Sequence, residues 1–93
     1  MVVGILRVEL HIPESNSLKA KRQIVKGIKD RIRNKFNVSI AEVDNNDLWQ
    51  RASLGVSMVS NDKQFVKQVL CSVVDKINQE NGAVILDHSI EFI

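Results

Sequence analysis

The sequence contains a single cysteine, a single proline, no tyrosine and no long apolar run. Because Cys71 has no second cysteine to pair with, an internal disulfide is excluded, which fits a reducing compartment. The apolar runs are too short to cross a bilayer and nothing resembles a signal peptide, so we expect a cytoplasmic protein that does not enter membranes. With 93 residues there is room for one core, and we predict a single domain over residues 1–93.

Signatures of catalysis and of cofactor binding are also missing. There is no nucleophile elbow, Walker loop or zinc signature, and neither His11 nor His88 has metal-ligand spacing to a second donor. The run from Asp44 to Asp47 offers oxygen ligands but lacks the glycine and distal glutamate of a calcium loop, so we interpret it as an Asx-rich turn. We therefore predict a non-enzymatic protein without a metal or cofactor.

Acidic residues are scarce in one segment. Residues 18–36 hold eight of the thirteen Lys and Arg residues and a single acid, Asp30, which gives the segment a charge of +7 against −5 for the remainder. A solvated helix usually interleaves acids with bases, because like charges one turn apart repel by roughly 0.2–0.5 kcal/mol. A polyanion would relieve this repulsion, so the composition favours a nucleic acid partner.

The basic segment is predicted to be a helix. Apolar residues recur at helical spacing and form one stripe: Leu18, Ile24, Val25, Ile28, Ile32 and Phe36. Ser15, Asn16 or Ser17 can cap its first turn. At 100° per residue, five cations form a second stripe beside the apolar one: Lys19, Arg22, Lys26, Lys29 and Arg33.

We expect these five cations to bind RNA phosphates, and we expect Lys21, Arg31 and Lys35 to extend the positive field. Lys21 is included among the nucleic-acid-binding residues. The alternative is an ordinary solvated face whose lysine stems cover apolar surface. The absence of acids in this segment favours the first interpretation.

The rest of the chain predicts four strands and a second helix. The strands are expected at residues 2–12, 37–43, 51–58 and 83–92, and the second helix begins after Ser60, Asn61 and Asp62 and ends at Gly82 in a C′ position. The order βαββαβ is typical of a ferredoxin-like α+β fold. We predict a four-stranded antiparallel sheet with both helices on one face.

The other sheet face should be open and polar. Its centre is expected to show these residues: Arg7, Glu9, His11, Arg51, Ser53 and Ser57. RNA-recognition modules of this architecture stack bases on aromatic residues of the central strands, and none is available here, since Phe36, Phe65 and Phe92 fit the core or the chain end. We therefore assign the main RNA contact to the helix, with His11, Trp49 and Arg51 as additional contact candidates.

Several stretches resemble one family of small bacterial proteins. They are Ser17-Leu18-Lys19 with Lys21-Arg22, Phe36-Asn37-Val38-Ser39, Ala41-Glu42-Val43-Asp44, Trp49-Gln50 and Leu54-Gly55. On these stretches the chain resembles the YlxP-like family, a domain of unknown function, over nearly its whole length. Members are commonly encoded beside transcription-elongation, translation-initiation and ribosome-maturation factors, so the resemblance implies a cytoplasmic role near RNA or the ribosome. It supplies no catalytic residues.

Two alternatives remain open. Edge strands at 37–43 and 83–92 could pair across a homodimer or with another protein. The apolar alternation of the last strand favours this, with Val84, Leu86 and Ile90 on one side of the strand, where His88 also lies. The loop from Ile12 to Ser17 precedes a helix N-terminus and could bind a small anion, as in a phosphoester enzyme.

Overall fold

The computed structural model describes residues 1–93, and its strands and helices follow the predicted order. The elements are β1 Val2–His11, α1 Leu18–Lys35, β2 Ser39–Asp44, β3 Arg51–Ser60, α2 Lys63–Asn78 and β4 Val84–Phe92. The four strands form one antiparallel sheet in the order β2-β3-β1-β4, so β1 and β3 are central. The predicted ferredoxin-like α+β architecture is confirmed.

Both helices cover the same sheet face. The burial of alternate strand residues shows this. In β1, Leu6, Val8 and Leu10 are fully buried, whereas Arg7 between them is exposed. The two helices contribute these buried apolar side chains: Val25, Ile28 and Ile32 from α1, and Val66, Leu70, Val73, Val74 and Ile77 from α2. Burying each of these side chains contributes about 1.5–3 kcal/mol.

Side chains cap the first turn of each helix. The Ser17 hydroxyl accepts a hydrogen bond from the Ala20 amide at 3.0 Å, and the Asp62 carboxylate accepts from the amides of Gln64 and Phe65. Each cap satisfies amides that have no partner within the helix. Both caps lie among the residues that the sequence predicted.

Three details of the α2 and β4 region differ from prediction. Phe65 is 49% exposed rather than buried, because Val66 takes the core-facing position in the first turn of α2. The helix ends at Asn78, so Gly82 is not its C′ residue; its φ of +87° serves the turn into β4 instead. A bulge opposite Glu9 and Leu10 shifts the register of β4.

This bulge changes which residues of β4 reach the core. Ile85 pairs with the buried Leu10 and packs against the core, whereas Val84 and Leu86 are each 52% exposed. The extra residue reverses the alternation that the sequence suggested for this part of the strand. The edge strand β4 therefore has no fully buried side chain and presents apolar surface to solvent.

Helix α2 lies very close to β1 at Gly4. A Cβ atom at this position would overlap Val66 Cγ1 and would lie 2.9 Å from Leu70 Cδ1. Only a residue without a side chain permits this approach, and the contact fixes the height of α2 above the sheet.

The Gly4→Ala variant should destabilise the protein by about 1–3 kcal/mol, because the added methyl group must displace α2 from β1. Urea denaturation followed by circular dichroism would measure this. Gly27→Ala is the matched control: its Cβ meets the guanidinium of Arg31, and higher helix propensity offsets the adjustment. Equal stability of Gly4→Ala and wild type would contradict the packing described here.

Candidate nucleic-acid interface

The basic segment separates into cations that are used inside the protein and cations that lie on its surface. Lys21 belongs to the first group, because its side chain is fully buried. The prediction that Lys21 contributes to an exposed RNA-binding surface is therefore wrong. A lysine is fully buried only where its ammonium group finds partners, and here it finds four.

The Lys21 ammonium connects α1 to the β2–β3 hairpin. Its Nζ atom lies 2.7 Å from Oε2 of Glu42, whose side chain is itself mostly buried. It also donates to three backbone carbonyl oxygens, those of Asn45 at 2.9 Å, Asn46 at 3.2 Å and Arg51 at 3.3 Å. One ammonium group thus neutralises a carboxylate and satisfies carbonyls on both sides of the hairpin loop.

A sequence signal for the burial of Lys21 does exist. Lys21 precedes Val25 by four residues and Ile28 by seven, so it continues the buried stripe of α1 by one turn. Lysine is rarely buried, so the residue type favoured an exposed side chain at position 21. The partners could not be identified, because they lie 21 to 30 residues further along the chain.

The hairpin loop is held on two sides. Asn45 adopts the left-handed conformation with φ of 61°, which forms the predicted Asx-rich turn. On the far side, the Gln50 side chain donates to the carbonyl oxygens of Pro13 and Ser15 at 3.2 and 3.1 Å. The loop carbonyls that could attract a metal cation already accept from Lys21, and the chain holds no cluster of three His, Cys, Asp or Glu residues suited to a metal.

The structure brings the three additional contact candidates together at this end of the sheet. His11 and Arg51 are directly opposed in the β1–β3 register, and Nδ1 of His11 lies 3.2 Å from the Gln50 carbonyl oxygen. Trp49, the residue before Gln50, is 56% exposed, and its neighbour Leu48 is 45% exposed. Trp49 does not cap the core; it forms part of an exposed surface on a well-held loop.

Four of the five predicted edge cations are exposed and the fifth, Lys29, is half-buried. We call these five residues, Lys19, Arg22, Lys26, Lys29 and Arg33, the cationic edge. It follows α1 for about 21 Å at 1.5 Å per residue. Arg33 donates to the Ile40 carbonyl oxygen at 3.0 Å, which places this edge beside strand β2.

Asp30 is the acid of the cationic edge and is shared by two of its cations. Lys26 Nζ lies 2.8 Å from Oδ2 of Asp30, and Arg33 Nη1 lies 3.3 Å from Oδ1. The hydrogen bond from Lys26, with the nearby charges of Lys26, Arg33 and Lys29, holds the pKa of Asp30 below its usual 3.8. Asp30 is therefore ionised at neutral pH, and the five cations retain a net charge of +4.

The remaining basic residues of α1 have internal partners. Arg31 Nε donates to both carboxylate oxygens of Glu80 at 2.9 Å, and this carboxylate raises the pKa of Arg31. Since Glu80 follows α2, the bidentate pair joins the ends of the two helices. Lys35 lies over the Phe36 ring at 5.7 Å. Arg31 is thus committed to an ion pair, although it was predicted to extend the positive field.

More polar side chains of the open sheet face hydrogen-bond to one another than the sequence predicted. Glu9 accepts from Arg7 at 3.3 Å and from the Ser53 hydroxyl, which also accepts from Asn45 at 2.9 Å. Ser53 is consequently buried, although it was expected to be open to solvent. The side chain of Val43 covers Gly55 on the same face. These polar groups hydrogen-bond to one another, and the two central strands carry no Phe, Tyr or Trp.

The loop between β1 and α1 uses its polar groups internally. The buried Ser15 hydroxyl donates to the Ser17 carbonyl oxygen at 3.1 Å, and the Ser17 hydroxyl is occupied as the α1 cap. The Ser15 carbonyl accepts from Gln50. The amides of Ser15, Ala20 and Lys21 also have partners within the protein, which leaves fewer donors for the small anion considered above. Neither helix is both long and apolar enough to cross a membrane.

Comparison with known proteins gives one family. Residues 3–90 match the model of a family described as "Protein of unknown function (DUF503)". The Uncharacterized protein YlxP of Bacillus subtilis (strain 168) is 44% identical over 73 residues, which cover 78% of this chain and 79% of that protein.

Solved structures share the fold alone. A de novo designed protein with a ferredoxin fold superposes with a TM-score of 0.62 at 14% identity, covering 98% of this chain and 86% of its own. A C-terminal segment of the alpha subunit of aIF2 from Pyrococcus abyssi gives a TM-score of 0.52 at 15% identity, covering 95% of this chain and 49% of its own.

Two lysines of one helix turn provide a direct test of the division between structural cations and surface cations. Lys21→Ala should destabilise the protein by about 3 kcal/mol or more, because it leaves Glu42 and the hairpin carbonyls unpaired. Lys19→Ala should change stability by less than about 0.5 kcal/mol, because Lys19 is exposed and has no partner. Urea denaturation of both variants measures the difference, and equal stabilities would contradict the structural role of Lys21.

Proposed function

The chain belongs to the DUF503 family of proteins of unknown function, and we propose that it is a non-enzymatic cytoplasmic accessory protein that binds RNA or the ribosome through the cationic edge of α1. The observation that supports this most strongly is the distribution of charge along one helix. Five cations share one side of α1 with a single acid, while the other acids lie elsewhere in the chain.

The geometry of the cationic edge suits a phosphate backbone. Its cations follow one another at steps of three or four residues, so successive residues lie about 4.5–6 Å apart along the helix axis. Lys19, Arg22 and Lys29 have no ion-pair partner in the protein, and Lys26 and Arg33 share one carboxylate. Long basic side chains at such intervals can contact several phosphates without reading bases.

The rest of the surface favours contact through the helix over contact through the sheet. The central strands carry no Phe, Tyr or Trp, and the polar groups of Arg7, Glu9 and Ser53 bond to one another. We therefore propose binding with low sequence specificity. The resemblance to YlxP-like proteins, which are commonly encoded beside translation and ribosome-maturation factors, supports RNA over other polyanions.

Charge reversal on the cationic edge should abolish most RNA binding. We expect the triple variant Arg22→Glu, Lys26→Glu, Lys29→Glu to bind a single-stranded RNA at least about tenfold more weakly at low salt. Each lost phosphate contact should also reduce the slope of log affinity against log salt by about 0.7. Fluorescence anisotropy with labelled RNA over a salt series would measure both quantities.

A triple reversal on the other helix is the matched control. Lys63→Glu, Lys67→Glu, Lys76→Glu changes the net charge by the same amount but leaves the cationic edge intact. If both triple variants lose affinity equally, binding depends on net charge and not on the cationic edge. A salt-independent affinity, or no effect of reversal on α1, would refute the proposal.

A homodimer or protein-interaction module is the second candidate function. It is favoured by the exposed Val84 and Leu86 of β4, an edge strand with unpaired backbone groups. Light scattering at micromolar concentration separates the two candidates. A salt-resistant dimer without affinity for RNA would favour the interaction module, whereas a monomer that binds RNA would favour the cationic edge.

A further inference from the structure

We propose that Trp49 is a stacking platform for one unpaired nucleotide, whose neighbouring phosphates are held by Lys19 and Arg22. This inference rests on the proposed function, because it requires RNA on the cationic edge. It adds that the RNA is single-stranded where it passes the β2–β3 hairpin. The ligand class is therefore single-stranded RNA, and stacking on Trp49 is the reason why single-stranded RNA is preferred over a duplex.

The exposure of Trp49 is the first observation. Trp49 is 56% exposed, and it is neither a core residue nor one of the apolar residues that pack against the core. Every nucleobase has a flat face that can stack on an indole, which makes such contacts tolerant of sequence. This tolerance agrees with the low specificity proposed for the cationic edge.

The rigidity of the hairpin loop is the second observation. Lys21 holds the carbonyls of Asn45 and Asn46, and Gln50 accepts from the Ile12 amide at 2.9 Å. The Gln50 side chain adds two further bonds to the β1–α1 loop. Trp49 lies between these anchored residues, so little loop entropy remains to be lost when a base stacks on it.

The position of the cations is the third observation. Lys21 contacts the carbonyl oxygens of Asn45 and Asn46, so the first turns of α1 and the Trp49 loop meet at one end of the molecule. Lys19 and Arg22 belong to these turns and are exposed, on other sides of the helix from the buried Lys21. Arg51 adds an exposed cation there. Two acids at this end, Asp47 and Glu14, have no ion-pair partner, and the three cations exceed them by one. This balance favours a nucleic acid over an acidic or neutral peptide.

Intrinsic fluorescence tests the inference directly, because the chain contains one tryptophan and no tyrosine. We would titrate the protein at low salt with a twelve-nucleotide oligouridylate and with a twelve-base-pair RNA duplex. Oligouridylate should quench the Trp49 emission. The Trp49→Ala variant should bind oligouridylate about tenfold more weakly and bind the duplex as well as wild type, while Trp49→Phe should retain most of the affinity.

Phe65→Ala is the matched control, because Phe65 is an aromatic residue that is also about half exposed, at 49%. Phe65 follows β3 and Trp49 precedes β3, so the two residues lie at opposite ends of that strand. Its affinity should equal that of wild type. RNA binding without quenching, or an unchanged affinity of Trp49→Ala, would overturn the stacking role, leave the cationic edge in place and assign the loop to a protein contact. Failure of wild type to bind either RNA would overturn the proposed function as well.

Discussion

The buried ammonium group of Lys21 is the interaction on which the organisation of this protein depends. It lies where α1, β2 and the start of β3 meet, and it binds one carboxylate and three carbonyl oxygens. Such a group is costly to bury, and only a complete set of partners makes its burial tolerable. Its presence fixes the hairpin loop against the first turns of α1, so the placement of Trp49 relative to the cationic edge follows from it.

The basic helix therefore has two roles that its composition does not distinguish. Lys21 and Arg31 connect α1 to the hairpin and to the end of α2 through Glu42 and Glu80. The cationic edge, in contrast, has one acid among five cations and faces solvent beside β2. The structural cations hold the helix in place, and the cationic edge keeps a net charge of +4 that can attract a polyanion.

Periodicity made most of the fold predictable, and local exceptions to it explain the errors. Strand and helix order followed from alternation and from helical spacing, which reflect burial directly. The alternation of Val84, Leu86 and Ile90 did not show that Ile85 packs against the core, because a bulge in β4 reverses the alternation and a bulge has no reliable sequence signal. Lys21 was misassigned because its partners come from distant segments that only the folded chain brings together. The contact candidates His11, Trp49 and Arg51 could be named, but the pairing of His11 with Arg51 and the contact of the Arg51 carbonyl oxygen with Lys21 again join distant segments.

The most direct test of the RNA-binding surface is a two-dimensional ¹⁵N–¹H NMR titration of the 93-residue protein with a short single-stranded RNA. We expect the largest amide shifts along the exposed side of α1 and in the hairpin loop around Trp49, with small shifts in α2 and in the central strands away from His11 and Arg51. The signals should return toward their free positions as salt is added. Shifts centred on the open sheet face or on β4, or no shifts at all, would contradict binding through the basic helix.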